Sequence, residues 1–217
     1  GNYLRTAPPT NRPVGPTRQT GYWHQDHGRS VGDATPHDSA HRADAEHNAT
    51  MAPGQVFADD LLAGRTALVT GGGTGLGRAI ATGLAEAGAA VLIASRRREV
   101  VASAAAEIAD QTGQEVTFDV VDIRDPEAVG TLADRYPGID ILVNNAGGQF
   151  PQKARDFSPN GWRSVVDLNL NGTWNMTQAF GNNMLDGDGG SICQIIATVG
   201  RGIPGIAHSA SARAAVL

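Results

Sequence analysis

Cysteine is almost missing from this sequence, since Cys193 is the only one among 217 residues. A single cysteine excludes an internal disulfide and any zinc cluster built on cysteine ligands. Proteins of the reducing cytoplasm keep their thiols free, so the cysteine usage predicts a cytoplasmic protein.

Long apolar runs and an excess of positive charge are also absent. No apolar run approaches the about 20 residues that a membrane-spanning helix needs, so no membrane partner is predicted. The formal net charge is −5, and the basic residues form no stripe. A surface that binds nucleic acid needs such a stripe, and nucleic acid is therefore not predicted as a partner.

Residues 1–50 lack the apolar residues that a core needs. They contain no isoleucine or phenylalanine and one leucine, Leu4, but five of the six histidines of the chain. Such a segment cannot bury enough apolar area to offset the entropy of ordering it. We therefore predict a disordered N-terminal extension over 1–50 and a folded domain over 51–217. Nothing periodic holds the five histidines together, so no metal site is predicted.

The folded part is organised around residues 66–95. A β-branched apolar run stops at three glycines, a helical spacing follows over Ile80, Leu84 and Ala87, and a second apolar run covers Ala90–Ala94. Strand, glycine turn, helix and strand within about thirty residues form a βαβ unit with parallel strands and a right-handed crossover.

The glycines of the turn follow the spacing G-x-x-x-G-x-G. Gly71 allows a sharp exit from the strand, Gly75 lets a phosphate approach the backbone, and Gly77 lets the helix pack close to the strand. The helix then directs unpaired N–H groups and its positive dipole end at a pyrophosphate. Thr74 and Leu76 flank the middle glycine and complete the predicted phosphate loop. The alternative is a glycine-rich loop without a ligand.

The end of the second strand selects the nucleotide. NAD-preferring sites place an Asp or Glu there to bind the adenosine ribose, whereas this sequence has Ser95, Arg96, Arg97 and Arg98. A carboxylate would repel a 2′-phosphate, and an arginine can bind one through two parallel hydrogen bonds. We therefore predict NADPH as the cofactor, held here by Ser95, Arg96 and Arg97. The alternative for these arginines is the solvated first turn of the next helix.

Helical and strand patterns continue to alternate along the rest of the chain, with one long helix near the end. The predicted elements cover Val100–Ala109, Val116–Val121, Pro126–Arg135, Ile139–Val143, Gly161–Leu185, Ser191–Ile196 and a last helix from His208. This alternation predicts an α/β fold of three layers, a Rossmann-type doubly wound parallel sheet with ligands at the carboxyl ends of its strands. Asp122 and Ile123 follow the third strand and are predicted to meet the adenine ring.

Four motifs follow one another in this folded part. They are Thr70-Gly71-x-x-x-Gly75-x-Gly77, Asn144-Asn145-Ala146-Gly147, Asp167-x-Asn169-Leu170-x-Gly172 and Gly190-Ser191-Ile192. In this order and spacing they resemble the short-chain dehydrogenases/reductases. The segments NNAGGQF, GSICQII and HSASARAAV more narrowly resemble the peroxisomal-type trans-2-enoyl-CoA reductases and the related 2,4-dienoyl-CoA reductases.

The resemblance implies roles for several asparagines and their neighbours. Asn145, Ala146 and Gly147 are expected to contact the cofactor. Asn144 is expected to tie strands together behind it. Asn169 resembles the catalytic asparagine of the family, which anchors a water relay through its helix; the alternative is an asparagine that only bonds helix backbone.

The sequence departs from the family at the catalytic motif. Most members carry a Ser and then Tyr-x-x-x-Lys, in which the Tyr protonates a nascent alkoxide and the Lys lowers its pKa and holds the ribose. Here Ser209 occupies the Tyr position, Arg213 the Lys position, and Thr198 lies in the Ser region. Asn169, Thr198, Ser209 and Arg213 are therefore the candidate catalytic residues, and Arg213 is also expected to bond the ribose. The alternative for Arg213 is a surface arginine.

The missing tyrosine bears on the reaction. Reduction of a ketone produces an alkoxide that needs a proton from a well-placed acid, and a serine hydroxyl is too weak for that role. Reduction of the C=C bond of an unsaturated thioester instead spreads charge into an enolate, which needs hydrogen bonds at the carbonyl oxygen and later protonation of the α-carbon. Ser209, Thr198 or a water can donate them.

We therefore predict an NADPH-dependent reductase of trans-2-enoyl-CoA thioesters that acts in fatty acid metabolism. The alternatives are a short-chain alcohol dehydrogenase or ketoreductase, and a truncated NADPH-binding protein without turnover. The chain stops inside the helix of Arg213, where family members continue with two more strands and a substrate lid. A fragment lacking the last strands of the family is therefore expected. Family analogy also implies an acyl-CoA-type substrate and a homo-oligomer.

Overall fold

A computed structural model describes residues 57–197 and 204–217. The extension predicted over 1–50 lies outside the described residues, so its disorder stays a prediction. Within the described ranges five strands form one sheet: β1 Thr66–Thr70, β2 Ala90–Ser95, β3 Val116–Val120, β4 Ile141–Asn144 and β5 Ser191–Gln194.

The strands are parallel and lie in the order β3-β2-β1-β4-β5. The chain moves outward from β1 through β2 to β3, and then returns to the other side of β1 with β4. Ligands of doubly wound sheets bind at such a reversal. The predicted Rossmann-type sheet is confirmed.

Helices connect successive strands, and local sequence signals set several of their ends. The helices of the described residues are α1 Gly75–Glu86, α2 Arg98–Thr112, α3 Pro126–Arg135, α4 Pro159–Val166, α5 Gly172–Asp186 and α6 Ala207–Val216. The Asp125 carboxylate accepts hydrogen bonds from two N–H groups at the start of α3, as an N-cap does. Gly113 ends α2 with a left-handed φ of 70°, which glycine adopts without strain.

Alternate strand residues build two apolar cores on opposite faces of the sheet. On β1, Leu68 packs with residues of α3 and α5, whereas Ala67 and Val69 pack with residues of α1 and α2. Because side chains alternate along a strand, one short segment contributes to both cores. The result is the predicted three-layer arrangement, with the sheet between two layers of helices.

The buried face of α1 is shifted by one residue from the predicted face. Ile80 and Leu84 are half-buried at its margins, and the fully buried positions are Gly77, Ala81 and Ala85. These small residues let the helix lie close to the sheet, so the larger side chains reach the core from the flanks.

The long helix predicted over 161–185 is not one continuous α-helix. It begins at Pro159, where the Ser158 hydroxyl accepts a hydrogen bond from the Gly161 N–H at 3.0 Å. A π-helical segment over Asp167–Asn171 then separates α4 from α5. Such wide turns are frequent at functional sites, and this one carries Asn169.

Candidate functional site

The turn after β1 has the geometry that its glycine spacing predicts. Gly71 has a φ of +67° and Gly75 a φ of +53°, values that favour glycine. A Cβ on Gly75 would meet nothing within 4 Å, whereas a Cβ on Gly77 would overlap the Gly71 carbonyl oxygen and the Asn145 amide. The Thr74 side chain does not cap α1, so the N–H groups of the first turn remain available to an anion.

A cleft of about 620 Å³ opens where the loops after the five strands meet. Its size suits an extended organic ligand. Every residue predicted to bind the cofactor lines it: Gly71, Thr74, Gly75, Leu76, Gly77, Ser95, Arg96, Arg97, Asp122, Ile123, Asn145, Ala146, Gly147 and Arg213. Asn169 and Ser209 are each 1% exposed and contact residues of the cleft wall. Thr198 lies outside the described residues.

Two of the three consecutive arginines line one end of the cleft. Arg96 and Arg97 follow β2, and the Ser95 hydroxyl accepts a hydrogen bond from the Arg97 N–H at 3.3 Å. Arg98 begins α2 instead, and its guanidinium lies over the Phe118 ring, 5.7 Å from the ring centroid. The sequence pattern alone does not show which of the three arginines line the cleft, whereas the structure distinguishes Arg98 from the other two.

Asp122 and Ile123 line the same end of the cleft, after β3. The Arg124 guanidinium bonds both oxygens of the Asp122 carboxylate, with Nε 2.9 Å from Oδ1 and Nη2 2.5 Å from Oδ2. These hydrogen bonds hold the pKa of Asp122 below its ordinary value, and the charge of Arg96 contributes to the same shift. The carboxylate is therefore ionised and paired.

Asn145 ties the strands together at the centre of the cleft. Its Nδ2 donates to the Thr70 carbonyl oxygen at 2.9 Å, and its N–H donates to the Thr70 hydroxyl at 3.0 Å. The prediction that gave this role to Asn144 is wrong. Asn144 is the last residue of β4, and its Nδ2 donates to the Thr177 hydroxyl on α5 at 3.0 Å. Asn145 lies in the loop after the strand, where its side chain reaches β1.

The π-helical segment holds Asn169 against the cleft wall. Asn169 Oδ1 accepts a hydrogen bond from the Gly148 N–H, and its Nδ2 donates to the Gly148 carbonyl oxygen, both at 2.9 Å. Nδ2 also lies 3.4 Å from the Ser209 hydroxyl oxygen. Asn169 thus clamps the loop after β4, and its role in a water relay stays a prediction.

Ser209 reaches the cleft through Gln149. The Ser209 hydroxyl donates to Gln149 Oε1 at 2.7 Å, and Gln149 lines the cleft. The amide oxygen is therefore engaged, and the amide NH₂ is left to donate to a ligand. Sequence reasoning missed Gln149 as a site residue. The two residues lie 60 positions apart, so no local pattern links them.

His208 is fixed in an aromatic cluster beside Ser209. Its ring centroid lies 4.7 Å from that of Phe150 and 4.4 Å from that of Phe157. Its Nδ1 accepts a hydrogen bond from the Ser209 N–H at 2.8 Å. His208 is fully buried, and these contacts hold the first turn of α6 in place.

Arg213 is half-buried and lines the cleft rather than lying on a solvated surface. Its Nη1 donates to the Ile195 carbonyl oxygen, and a Cβ on Gly147 would overlap its Nη2. Burial lowers the pKa of the Arg213 guanidinium, which is nevertheless protonated at any physiological pH. The glycine after β4 is therefore needed for the close approach of this cation.

Tyr136 is the only tyrosine in the part of the chain that the structure describes. It lies after α3 against the apolar core and does not line the cleft. Burial raises the pKa of the Tyr136 phenol, and the Asp119 charge raises it further. A general acid needs a pKa near the working pH, so this tyrosine does not have the properties of one.

Comparison with known proteins identifies the family. A family model described as short chain dehydrogenase matches residues 65–217. The chain belongs to the short chain dehydrogenase family. It is 40% identical over 171 residues to a Caenorhabditis elegans protein named probable 2,4-dienoyl-CoA reductase 3, covering 74% of this chain and 54% of that protein. The chain thus spans about half the length of this relative.

Other members of the family differ in their named substrates. The 3-oxoacyl-acyl-carrier-protein reductase FabG of Chlamydia muridarum is 36% identical, over 73% of this chain and 66% of that protein. A crystal structure described as a candidate NAD(P)-dependent gluconate 5-dehydrogenase of Beutenbergia cavernae, with NADP bound at low occupancy, superposes with a TM-score of 0.69. It is 39% identical and covers 73% of this chain and 64% of that one.

The described residues contain no arrangement of side chains suited to a metal ion. Across 57–197 and 204–217, no group of three His, Cys, Asp or Glu side chains is arranged as a metal site would require. The five N-terminal histidines lie outside these ranges.

None of the helices listed above is long and apolar enough to cross a membrane, a finding that covers the described residues.

Proposed function

We propose that this chain binds NADPH in the cleft. The residues fit a dinucleotide phosphate because the glycine turn is open at Gly75 and the first turn of α1 offers uncapped N–H groups. Arg96 and Arg97 place two positive charges at the end of β2, where a ribose 2′-phosphate is bound in this type of fold. A related crystal structure is described with NADP bound, which supports the cofactor class.

The cofactor proposal is tested by changing Arg96→Ala and Arg97→Ala together. Loss of charge-assisted hydrogen bonds to the 2′-phosphate should weaken NADPH binding by about tenfold or more. The affinity for NADH should change by less than about twofold, because NADH carries no such phosphate. Arg98→Ala is the matched control, since Arg98 packs on Phe118 and should leave both affinities unchanged. Equal losses for the two nucleotides in the double variant would contradict the assignment.

We propose further that the reaction is reduction of the C=C bond of a trans-2-enoyl-CoA thioester. The observation that carries this is the engagement of Ser209, which stands at the family's tyrosine position and donates its hydroxyl to Gln149. No phenol is placed to protonate an alkoxide among the residues that the structure describes. A substrate whose charge spreads into an enolate needs hydrogen-bond donors more than it needs such an acid.

Gln149 and Arg213 supply that stabilisation in this proposal. When bound, NADPH would supply the hydride to the β-carbon, and the resulting enolate would then take one proton from water at the α-carbon. Ser209 fixes the Gln149 amide oxygen, so that the amide N–H groups donate to the thioester carbonyl oxygen in the cleft. Arg213, anchored on the Ile195 carbonyl oxygen, keeps a positive charge near the developing negative charge. Asn169 holds the loop on which Gln149 lies, through its two bonds to Gly148.

Gln149→Ala tests the role of the amide. Loss of one donor to a developing oxyanion should lower kcat with an enoyl-CoA by about a hundredfold, with little change in the Kd of NADPH. Gln152→Ala is the control, because Gln152 donates to the Asp156 carbonyl oxygen at 2.6 Å and does not line the cleft. An unchanged kcat for Gln149→Ala, measured from NADPH absorbance, would contradict the proposed role.

A second candidate reaction is reduction of a 3-ketoacyl thioester. The likeness to a 3-oxoacyl reductase favours it, and the absence of a tyrosine at position 209 opposes it. The likeness to a dienoyl-CoA reductase favours a conjugated acyl-CoA substrate. The two reactions are separated by offering enoyl and 3-ketoacyl thioesters to the same preparation.

A further inference from the structure

The cleft that carries two arginines for a phosphate also contains a carboxylate. Asp122 lines this cleft together with Arg96 and Arg97. Arg96 and Asp122 follow neighbouring parallel strands, joined where the Val121 N–H donates to the Ser95 carbonyl oxygen at 3.1 Å. The charge of Arg96 contributes to the lowered pKa of Asp122. An unpaired carboxylate here would attract Arg96 and repel a 2′-phosphate.

Arg124 removes this conflict by pairing with Asp122. Its Nε lies 2.9 Å from Oδ1 and 3.1 Å from Oδ2, and its Nη2 lies 2.5 Å from Oδ2. Its backbone N–H also donates to Oδ1 at 3.1 Å. The planar guanidinium thus engages both oxygens, a pairing that a lysine cannot reproduce in full.

Arg124 acts from outside the cofactor cleft. It does not line that cleft but faces a neighbouring open depression, which it shares with Asp125, Asp167 and Asn171. The turn that carries it is fixed, because the Asp125 N–H donates to the Asp122 carbonyl oxygen at 3.0 Å and the Asp125 carboxylate caps α3. Arg124 therefore reaches the cofactor region through Asp122.

We propose that Arg124 is a specificity-determining residue for the cofactor. By neutralising Asp122 it leaves Arg96 free to bind a 2′-phosphate, and it thereby sets the preference for NADPH over NADH. This inference rests on the proposed NADPH function. Both nucleotides carry the adenine that Asp122 is predicted to meet, but NADH has no 2′-phosphate, so the charge of Asp122 changes the ratio of the two affinities through that phosphate alone.

The test measures the Kd of NADPH and of NADH for the full chain and for Arg124→Ala, Asp122→Asn and the double variant. Arg124→Ala should weaken NADPH binding about three- to tenfold at low ionic strength, and less at high salt, because the repulsion is screened. Its affinity for NADH should change by less than about twofold. The double variant Asp122→Asn with Arg124→Ala should restore the ratio of the NADPH and NADH affinities to that of the unaltered chain. Arg124→Lys keeps the positive charge and should retain most of the preference for NADPH.

Three results would overturn the inference. Equal weakening of both nucleotides by Arg124→Ala would mean that Arg124 only supports the fold of the loop. A loss of the same size in the Asp122→Asn background would mean that Arg124 attracts the phosphate by its own charge. Unchanged affinities for both nucleotides in Arg124→Ala would mean that the pair does not affect cofactor binding.

The proposed cofactor can fail separately from this inference. Equal affinities of the unaltered chain for NADPH and NADH, together with no selective loss in the Arg96→Ala and Arg97→Ala double variant, would overturn the NADPH proposal itself. A selective loss in that double variant with no effect of Arg124→Ala would overturn the role of Arg124 alone.

Discussion

Gly77 and Gly83 lie on the same helix, α1, in opposite surroundings. A Cβ on Gly77 would overlap the Gly71 carbonyl oxygen and the Asn145 amide, whereas a Cβ on Gly83 would meet nothing within 4 Å. Gly77 therefore allows α1 to pack closely against the glycine turn and against Asn145, whereas no close packing requires a glycine at position 83. The sequence motif distinguishes the two glycines correctly, because only the first belongs to the G-x-x-x-G-x-G spacing.

Alanine at each position gives opposite effects on stability. Gly77→Ala should lower the free energy of unfolding by about 2–3 kcal/mol, because the turn and Asn145 must shift. Gly83→Ala should raise it by about 0.5–1 kcal/mol, since alanine loses less backbone entropy in a helix than glycine. Urea unfolding of the two variants and the parent measures both values. Equal stabilities would refute the assigned roles of these glycines.

At the scale of elements, the sequence predicts regular patterns better than their interruptions. The predicted range of α3 matches the observed one. Asp125 and Pro126 mark its start, and the strand pattern that begins at Ile139 leaves little room for the helix beyond Arg135. The π-helical segment over Asp167–Asn171 has no such marker. It exists because Asn169 bonds the loop after β4, a contact between distant parts of the chain that periodicity does not encode.

Asp140 joins three strands at the end of the sheet opposite the cleft. Its carboxylate accepts hydrogen bonds from the Thr66 N–H and from Arg65, both at 2.8 Å. Its own backbone bonds the Thr66 carbonyl oxygen and the Ser191 N–H. The hydrogen bond from Thr66, followed by that from Arg65, lowers the pKa of Asp140.

The stability contributed by the Asp140 charge should depend on pH. Since the folded pKa is lowered, the contribution is present above the unfolded value and is lost as the pH falls through the folded value. Asp140→Asn should cost about 1 kcal/mol at about pH 7, and this cost should shrink as the pH falls below the ordinary pKa of an aspartate and through the lowered folded value. Asp156→Asn is the control, because its contact with Arg155 at 3.7 Å is exposed and should contribute little. A cost for Asp140→Asn that does not change with pH would contradict this account.

At the scale of the whole molecule, the doubly wound parallel sheet and the position of the cleft at its carboxyl ends could be predicted, and the catalytic arrangement could not. Apart from Arg213 on α6, the cofactor residues lie at or just after the end of a strand or in the glycine turn and the start of α1, so their places in a doubly wound sheet are set by their positions in the sequence. Asn145, and not Asn144, bonds the neighbouring strand β1. The sequence alone does not show which of these two adjacent asparagines directs its side chain toward β1. Gln149 was missed because its partner Ser209 lies on a distant helix.

The most direct measurement of the central claim is NADPH oxidation by the full chain with two thioesters in parallel, a trans-2-enoyl-CoA and a 3-ketoacyl-CoA of equal chain length. The account predicts turnover of the enoyl thioester, with a kcat/KM at least about tenfold above that for the 3-ketoacyl thioester. The same preparation should also show thermal stabilisation by NADPH. Turnover of the 3-ketoacyl thioester without turnover of the enoyl thioester, or stabilisation by NADPH with no turnover of either, would contradict it.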